Sequence, residues 1–249
     1  MGNSRYNSNF FSHLQEDSYA SAKVIVPLVR RYIQPKSILD VGCGTGAFLS
    51  VFKETGSNEV FGVDGPWVSR EERRVPDDSF QVANLEEPLE LHRTFDLVVS
   101  VEVAEHISEA AAKTFVKSLT QHGDIVLFSA AIPHQGGTHH INEQWPSYWV
   151  QLFAEEGYVP IDCLRREVWE SPQVNFWFAQ NILFFAKRDT LARYPELQKA
   201  EIQWGGPVLP LVHPTLFKAK AKKAERFDRL TSIVPYSVKG TLLKFVRKF

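Results

Sequence analysis

Two cysteines and a single methionine are all the sulfur this chain carries. Cys43 and Cys163 could form at most one pair, which excludes a disulfide framework, and no CxxC spacing exists for a structural zinc site. Long apolar runs are missing as well. No uncharged stretch approaches the roughly 20 residues needed to cross a bilayer, and no secretory hydrophobic region follows Met1. These absences point to a cytoplasmic protein. Met1-Gly2 opens like an acylation signal, but Tyr6 stands where that signal needs Ser or Thr. Charge of one sign is also missing, since 28 basic and 29 acidic residues leave a net −1. Internal repeats and low-complexity tracts are absent.

What is present fits a soluble globular chain. Of 249 residues, 44% are apolar and 23% charged, a balance that excludes collagen-like, disordered and multi-span membrane classes. A chain of this length buries roughly 70% of its unfolded surface and needs no staples. The near-zero net charge hides an asymmetry. Residues 1–188 hold 16 basic and 24 acidic side chains, a net −8, and residues 189–249 hold 12 and 5, a net +7. An acidic body with a basic tail is expected, divided into an N-terminal arm and helix (1–35), a main domain (36–188) and a basic extension (189–249).

The first 17 residues read as a loose arm. Residues 19–33 read as a helix, with Val24, Leu28 and Tyr32 near helical spacing and Pro27 as a blemish. From residue 36 the rhythm is strand, turn, helix. Runs at 37–41, 59–64, 80–84, 95–101 and 124–130 are short and apolar, as suits strands buried on both faces of a parallel sheet. A helix is expected from Ser108, a plausible N-cap, to Gln121, and another from Pro146. The runs Tyr158–Val168 and Asn175–Lys187 leave no room for a crossover helix between them, so they should pair antiparallel. The expected fold class is α/β: a doubly wound, mostly parallel seven-stranded sheet closed by an antiparallel hairpin. Gly205, Gly206, Pro207, Pro210 and Pro214 mark a linker-like stretch before two basic helical candidates at 215–230 and 237–249.

The sharpest motif is Asp40-Val-Gly42-Cys-Gly44-Thr-Gly46-Ala47. It closes a strand and opens a helix, where glycines allow a tight turn and a ligand close to bare backbone. Asp64, at the end of the second strand, is placed to accept ribose hydroxyls. Gly42-x-Gly44-x-x-Ala47 also satisfies a permissive dinucleotide fingerprint. An acid inside the strand argues for a cofactor with a cationic end rather than a pyrophosphate, which would need the helix N-terminus.

This Asp-x-Gly-x-Gly-x-Gly pattern resembles motif I of the class I S-adenosylmethionine-dependent methyltransferases. The likeness extends over about residues 20–188 and includes Phe95–Ile107, which resembles that family's fourth strand and following turn. It implies a Rossmann-like methyltransferase fold and S-adenosyl-L-methionine as cofactor. Asp40, Gly42, Gly44 and Gly46 would take the methionine part and Asp64 with Gly65 the ribose. Asn84 and Leu85 would lie at adenine, and Val101 and Glu102 would border the cofactor. Trp67, three residues after Asp64, could flank adenine or lie on the surface.

Two clusters could carry chemistry, both after strand ends, where open α/β sheets bind ligands. One is Glu102-Val-Ala-Glu105-His106. The other is the segment after strand five, with His134, His139, His140, Glu143 and Trp145. Two carboxylates and one or two imidazoles make a plausible divalent-metal set, here Glu102, Glu105, His106 and His140. The same groups suit a general base without metal, for which His106 and His139 are the candidates. The Glu-x-x-Glu-His spelling resembles the ubiquinone-biosynthesis O-methyltransferases, and also the small-RNA 3′-end 2′-O-methyltransferases. Gly-Thr-His favours His139 by the first likeness, and spacing to Glu143 favours His140 by the second. The expected reaction is methyl transfer to a hydroxyl of a small molecule or glycan precursor. RNA 2′-O-methylation and a non-catalytic cofactor-binding scaffold are the alternatives. Nucleic acid is disfavoured because the body is acidic. Residues 237–249, with Val238, Leu242, Phe245, Val246 and Phe249 interleaved with basic residues, could lie on the inner face of a membrane or pack on the body.

Overall fold

The computed structural model describes residues 8–204 and 206–232, with side chains from 16 to 229. Helix α1 (Ser8–Tyr32) precedes strand β1 (Ser37–Val41), α2 (Ala47–Glu54), β2 (Glu59–Asp64), β3 (Phe80–Val82) and β4 (Leu97–Val101). Then come α3 (Ala112–Thr120), β5 (Ile125–Ser129), α4 (Pro146–Glu155), β6 (Tyr158–Ile161), α5 (Arg165–Val168), α6 (Phe176–Asn181), β7 (Leu183–Lys187), α7 (Pro195–Trp204) and α8 (Pro214–Ser232). The second basic candidate, 237–249, lies outside the described residues.

The seven strands form one sheet in the order β3-β2-β1-β4-β5-β7-β6. β1 pairs in parallel with β2 and β4, β2 with β3, and β4 with β5. β7 runs antiparallel to β5 and β6. This is the expected doubly wound, mostly parallel sheet with an antiparallel finish. The order reverses at β1 and β4, so a crevice is expected beyond their carboxyl ends, and the glycine loop and Glu102–His106 leave the sheet there.

Each central strand is sealed on both faces, which is why its sequence is a continuous apolar run. On one face Ile38, Leu97, Val99, Ile125 and Leu127 pack with Phe48, Leu49 and Phe52 of α2 and with Ala22, Ile25, Val26 and Val29 of α1. On the other, Leu39, Val98, Val126 and Phe128 pack with Phe115 and Leu119 of α3 and Trp149 and Phe153 of α4. Phe153 stacks on Phe185 at 3.9 Å between ring centres, with Phe128 edge-on to both.

Four local expectations are corrected. α1 begins at Ser8, inside the segment read as a loose arm, and its core stripe is Ala22, Ile25, Val26 and Val29, while Val24, Leu28 and Tyr32 are only partly buried. α3 begins at Ala112 rather than at Ser108. The Ser108 backbone N–H instead donates to Glu86 Oε1 at 2.8 Å and its carbonyl accepts from Ala111 N, so the serine opens the turn before α3 and is not its N-cap. The runs 158–168 and 175–187 are strands only at their outer ends. Leu164 and Val168 are buried at i, i+4, and Phe178 and Ile182 likewise, so helical spacing wins between β6 and β7. Finally, α7 buries Leu197 and Ala200 where the sequence suggested only linker.

The chain divides into two compact units, Met1–Leu211 and Val212–Phe249. The first contains the whole sheet. In the second, α8 carries Lys218, Lys220, Lys222, Lys223, Arg226 and Arg229. No helix among the described residues is long and apolar enough to cross a membrane.

Candidate functional site

β1 delivers Asp40 and then turns through three glycines with left-handed backbones, Gly42 (φ 81°), Gly44 (φ 53°) and Gly46 (φ 84°). They are glycine for different reasons. A methyl on Gly42 would lie 2.4 Å from the Val103 side chain, so that side chain, in the turn after β4, packs directly on the loop's bare backbone. Above Gly44 there is nothing within 4 Å, which leaves an open seat over bare backbone.

Asp64 fixes that seat from the end of β2. Its Oδ2 accepts from Gly44 N and its Oδ1 from Gly65 N, each at 2.6 Å. The Trp67 side chain also donates toward this carboxylate, which keeps acceptor capacity for a ligand hydroxyl. The carboxylate is 5% exposed, and burial raises its pKa despite those bonds. Asp40 is 2% exposed with one oxygen unpartnered. Burial, then the charge of Asp64, holds its carboxyl well above the ordinary range. An ammonium group brought beside it would relieve that cost. These features fit S-adenosylmethionine: an acid lacking a partner, an open backbone seat and a ribose-accepting carboxylate.

Other residues expected at the cofactor have local duties. Asn84 donates to Glu87 and accepts from Glu86 N, holding its own turn. Leu85 is buried in the cluster containing Val41 and Val63. Val101 is half-buried at the end of β4. The Trp67 ring lies over Gly65, where a methyl would meet it at 2.1 Å, yet Trp67 is 60% exposed.

Glu102 takes a left-handed backbone (φ 55°) as β4 ends. Its Oε2 accepts from Gln135 Nε2 and its Oε1 from Asn181 Nδ2, both at 3.0 Å. Asn181 Nδ2 and Gln180 Nε2 also donate to Gln135 Oε1. This amide network was not foreseen. Gln135 lies in the segment singled out after strand five, but Gln180 and Asn181 come from α6, in a run read as strand.

The turn after β4 and the loop after β5 bring the remaining groups together. The short helical turn Ala104–His106 buries Glu105 completely. The loop after β5 folds over it, with Ile141 N and Asn142 N both donating to the Glu105 carbonyl. That loop brings in His140, so one ligand atom each from Glu105, His106 and His140 lies within 4.8 Å of the others. Neither Glu105 carboxylate oxygen has a hydrogen bond of full geometry, and the backbone N–H groups of Glu105 and Ala131 only partly ease its charge. The group contacts the Glu102 carboxyl instead, and burial first, then the Glu102 charge, pushes the Glu105 pKa well up.

Both imidazoles are oriented from behind. His106 Nδ1 donates to the His139 carbonyl at 3.2 Å, and His140 Nδ1 donates to Glu143 Oε1 at 2.9 Å. With each ring neutral, its Nε2 is the unprotonated nitrogen. Burial, then the nearby His140, lowers the His106 pKa, which keeps that ring neutral. Burial alone would raise the Glu143 pKa, but donation from His140, Gly136 N and His134 N outweighs it and holds the group ionised. Such carboxylate–histidine pairs commonly orient metal-binding imidazoles.

Of the expected metal set, the structure therefore unites Glu105, His106 and His140. Glu102 touches Glu105 but is not in that group, and amide donors from Gln135 and Asn181 occupy its oxygens. His139 contributes its carbonyl, and its side chain is exposed at a left-handed backbone (φ 60°). A surface cavity of about 540 Å³ is lined by Arg166, Glu167, Trp169, Glu170 and Ser171 and includes none of these residues, so cavity size does not mark the site.

Residues 12–167, well over half the chain, match the family model described as a methyltransferase domain. No curated protein sequence matches the chain. Among solved structures, magnesium protoporphyrin IX methyltransferase from Synechocystis PCC 6803, with bound SAH, is similar at 15% identity and TM-score 0.51, over 75% of this chain and 90% of that one. The sugar N-methyltransferase KedS8 from Streptoalloteichus sp. is similar at 17% identity and TM-score 0.54, over 76% and 98%. The methyltransferase domain of bacterial CtHen1-C is similar at 18% identity and TM-score 0.50, over 68% and 98%. At these identities the likeness is one of fold. The family match and the glycine-loop geometry together make this chain a member of the class I S-adenosylmethionine-dependent methyltransferases.

Proposed function

We propose that this methyltransferase acts on a hydroxyl oxygen of a small-molecule or glycan-type acceptor, beside a divalent cation held by Glu105, His106 and His140. The observation that carries the reading is Glu105: a wholly buried carboxylate with no hydrogen bond of full geometry on either oxygen, grouped with His106 and His140 so that one ligand atom of each lies within 4.8 Å of the others. Carboxylate plus imidazole is a donor set suited to a divalent ion. A non-catalytic scaffold would have no use for so costly a group.

The cofactor supplies an activated methyl group. Asp40 would hold its ammonium end, the backbone at Gly42 and Gly44 its amino-acid chain, and Asp64 its ribose. A cation at the cluster supplies Lewis acidity toward a hydroxyl. Glu143 and the His139 carbonyl accept from the two Nδ1 atoms and so leave the Nε2 edges for the cation; without a cation, His106 Nε2 is the atom that would accept the hydroxyl proton. Val103 against Gly42 brings the cluster close behind the cofactor seat. The dry, fixed surroundings favour an in-line approach.

A non-phosphorylated acceptor is supported by charge. Between Arg93 and Lys113, and again between Lys117 and Arg165, the chain has no lysine or arginine. Those two stretches supply the cluster and the loop over it, so they offer nothing to neutralise an RNA backbone. Trp145 (41% exposed) and Ile141 (65% exposed) offer apolar surface on that loop instead. Cys43 and Cys163 are free and buried, which suits a reducing cytoplasm. We assign contact with an anionic membrane surface to the basic segment from α8 through 237–249.

Calorimetry with S-adenosylhomocysteine and Mn²⁺ tests the site. Wild-type protein is expected to bind one of each. Asp64→Ala should lose cofactor affinity by about tenfold or more, the cost of roughly one charge-assisted hydrogen bond, and Glu105→Ala should lose Mn²⁺ while keeping cofactor. A wild-type chain that binds no divalent ion rejects the cation reading.

A further inference from the structure

The loop that carries His140 contains two adjacent glycines, and only one is explained by its backbone. Gly136 is left-handed (φ 72°), as its turn requires. Gly137 is not in the left-handed region, so any residue could take its conformation. What a side chain could not share is the space. A methyl on Gly137 would lie 2.1 Å from His140 Nε2, 2.4 Å from Cε1 and 2.7 Å from Cδ2. Carbon and nitrogen atoms in contact sit about 3.5–4 Å apart, so the His140 ring lies flush on bare backbone at its Nε2 edge.

The ring has little room to retreat. At its far edge Nδ1 is bound to Glu143 Oε1, and Glu143 is itself fastened by His134 N at 2.7 Å and Gly136 N at 2.6 Å. The loop therefore grips the imidazole at both edges, by a hydrogen bond on one side and by the absence of a side chain on the other. Held so, Nε2 lies 4.0 Å from Glu105 Oε1, close enough for one ion to reach both.

We propose that Gly137 is a positioning residue of this site: its missing side chain is what seats the His140 ring with Nε2 turned toward Glu105. The inference rests on the cation reading above for its purpose, and on geometry alone for the seating. A methyl at 137 either occupies the space beside Nε2 or drives the ring off Glu143. Both remove His140 from the ligand set while leaving its sequence intact. The glycine loop at 42–46 and the Asp40 and Asp64 carboxylates belong to a different part of the chain, so cofactor binding is unaffected.

The experiment compares the full chain with Gly137→Ala, His140→Ala, the double variant, and Thr138→Ala, an exposed neighbour that controls for loop disturbance. Three quantities are read: Mn²⁺ affinity, S-adenosylhomocysteine affinity, and the imidazole nitrogen resonances of His140. Gly137→Ala should weaken Mn²⁺ binding by about 10- to 100-fold, as loss of an orienting contact does. It should match His140→Ala, the double variant should fall no further, and cofactor affinity should hold. The His140 nitrogens should lose the pattern of a hydrogen-bonded Nδ1–H. Thr138→Ala should change nothing. Should Gly137→Ala lower the melting temperature, adding His140→Ala must restore it, because the colliding ring is gone. Unchanged His140 resonances in Gly137→Ala overturn the proposal, as does unchanged Mn²⁺ affinity in a wild-type binder. Where wild type binds no Mn²⁺, the cation reading falls, and the resonances still decide whether Gly137 seats the ring.

Discussion

At the scale of single residues, the site stores its cost in carboxyl groups. Asp40 is buried, one oxygen lacks a donor, and Asp64 stands near it. Its pKa is raised in the folded chain, so the proton binds more tightly folded than unfolded. The stability that proton contributes is complete below the unfolded pKa and drains away as pH rises from about 4 toward the raised value. Above the unfolded pKa the free protein therefore carries the cost of either ionising a poorly solvated carboxyl or holding its proton. Asp40→Asn should lift the melting temperature of the free protein at pH 7 by a few degrees, on the order of 1 kcal/mol, with the gain vanishing at acid pH. The same change should weaken S-adenosylhomocysteine binding by about tenfold, the loss of a charged partner for its ammonium. A variant no more stable than wild type at pH 7, measured by calorimetry, removes this account. Asp40, the three glycines and Asp64 were legible in the sequence because their roles follow from adjacent backbone: a strand end, a turn, the next strand end. The choice between His139 and His140 was not. It depends on the left-handed turn at His139, which leaves that side chain exposed, and on the bare backbone at Gly137, which admits the next ring.

Among elements, the least legible is α6. Phe176–Asn181 is rich in aromatics and reads as strand, yet it is a helix whose last two residues reach back to the site. Gln180 and Asn181 meet Gln135 from the loop after β5, and the three amides surround the Glu102 carboxylate. Contacts between residues 79 apart in sequence, as for Asn181 and Glu102, leave no periodic signal. The strands were legible because a sealed parallel strand writes a continuous apolar run. The amide network has no such script. Its physical task is to supply donors where burial would otherwise make Glu102 share the burden of Glu105. Asn181→Leu keeps the volume close and removes one donor, leaving a buried acceptor unmet. It should cost about 1–3 kcal/mol in denaturant unfolding, while Gln173→Ala, exposed just before α6, costs little. Equal midpoints for Asn181→Leu and wild type would show that Glu102 does not depend on α6.

Across the whole molecule, charge separates with the two compact units. Residues 1–211 hold 18 basic and 27 acidic side chains, a net −9, and residues 212–249 hold 10 and 2, a net +8. Every residue assigned to the cofactor and cation sites lies in the first unit, together with all seven strands. A chain ending at Leu211 should therefore fold cooperatively, bind S-adenosylhomocysteine as tightly as the full chain, and melt within a few degrees of it. The membrane-surface reading assigns the opposite fate to the second property. Each Lys or Arg near an anionic surface contributes about 1 kcal/mol at physiological salt, and ten of them lie beyond Leu211. The full chain should sediment with phosphatidylserine vesicles and be released by added salt. The chain ending at Leu211, net negative, should stay in solution with its cofactor affinity intact. Co-sedimentation of both chains, or of neither, removes the basic extension from any role at a membrane. A shortened chain that loses the cofactor shows instead that the second unit supports the fold.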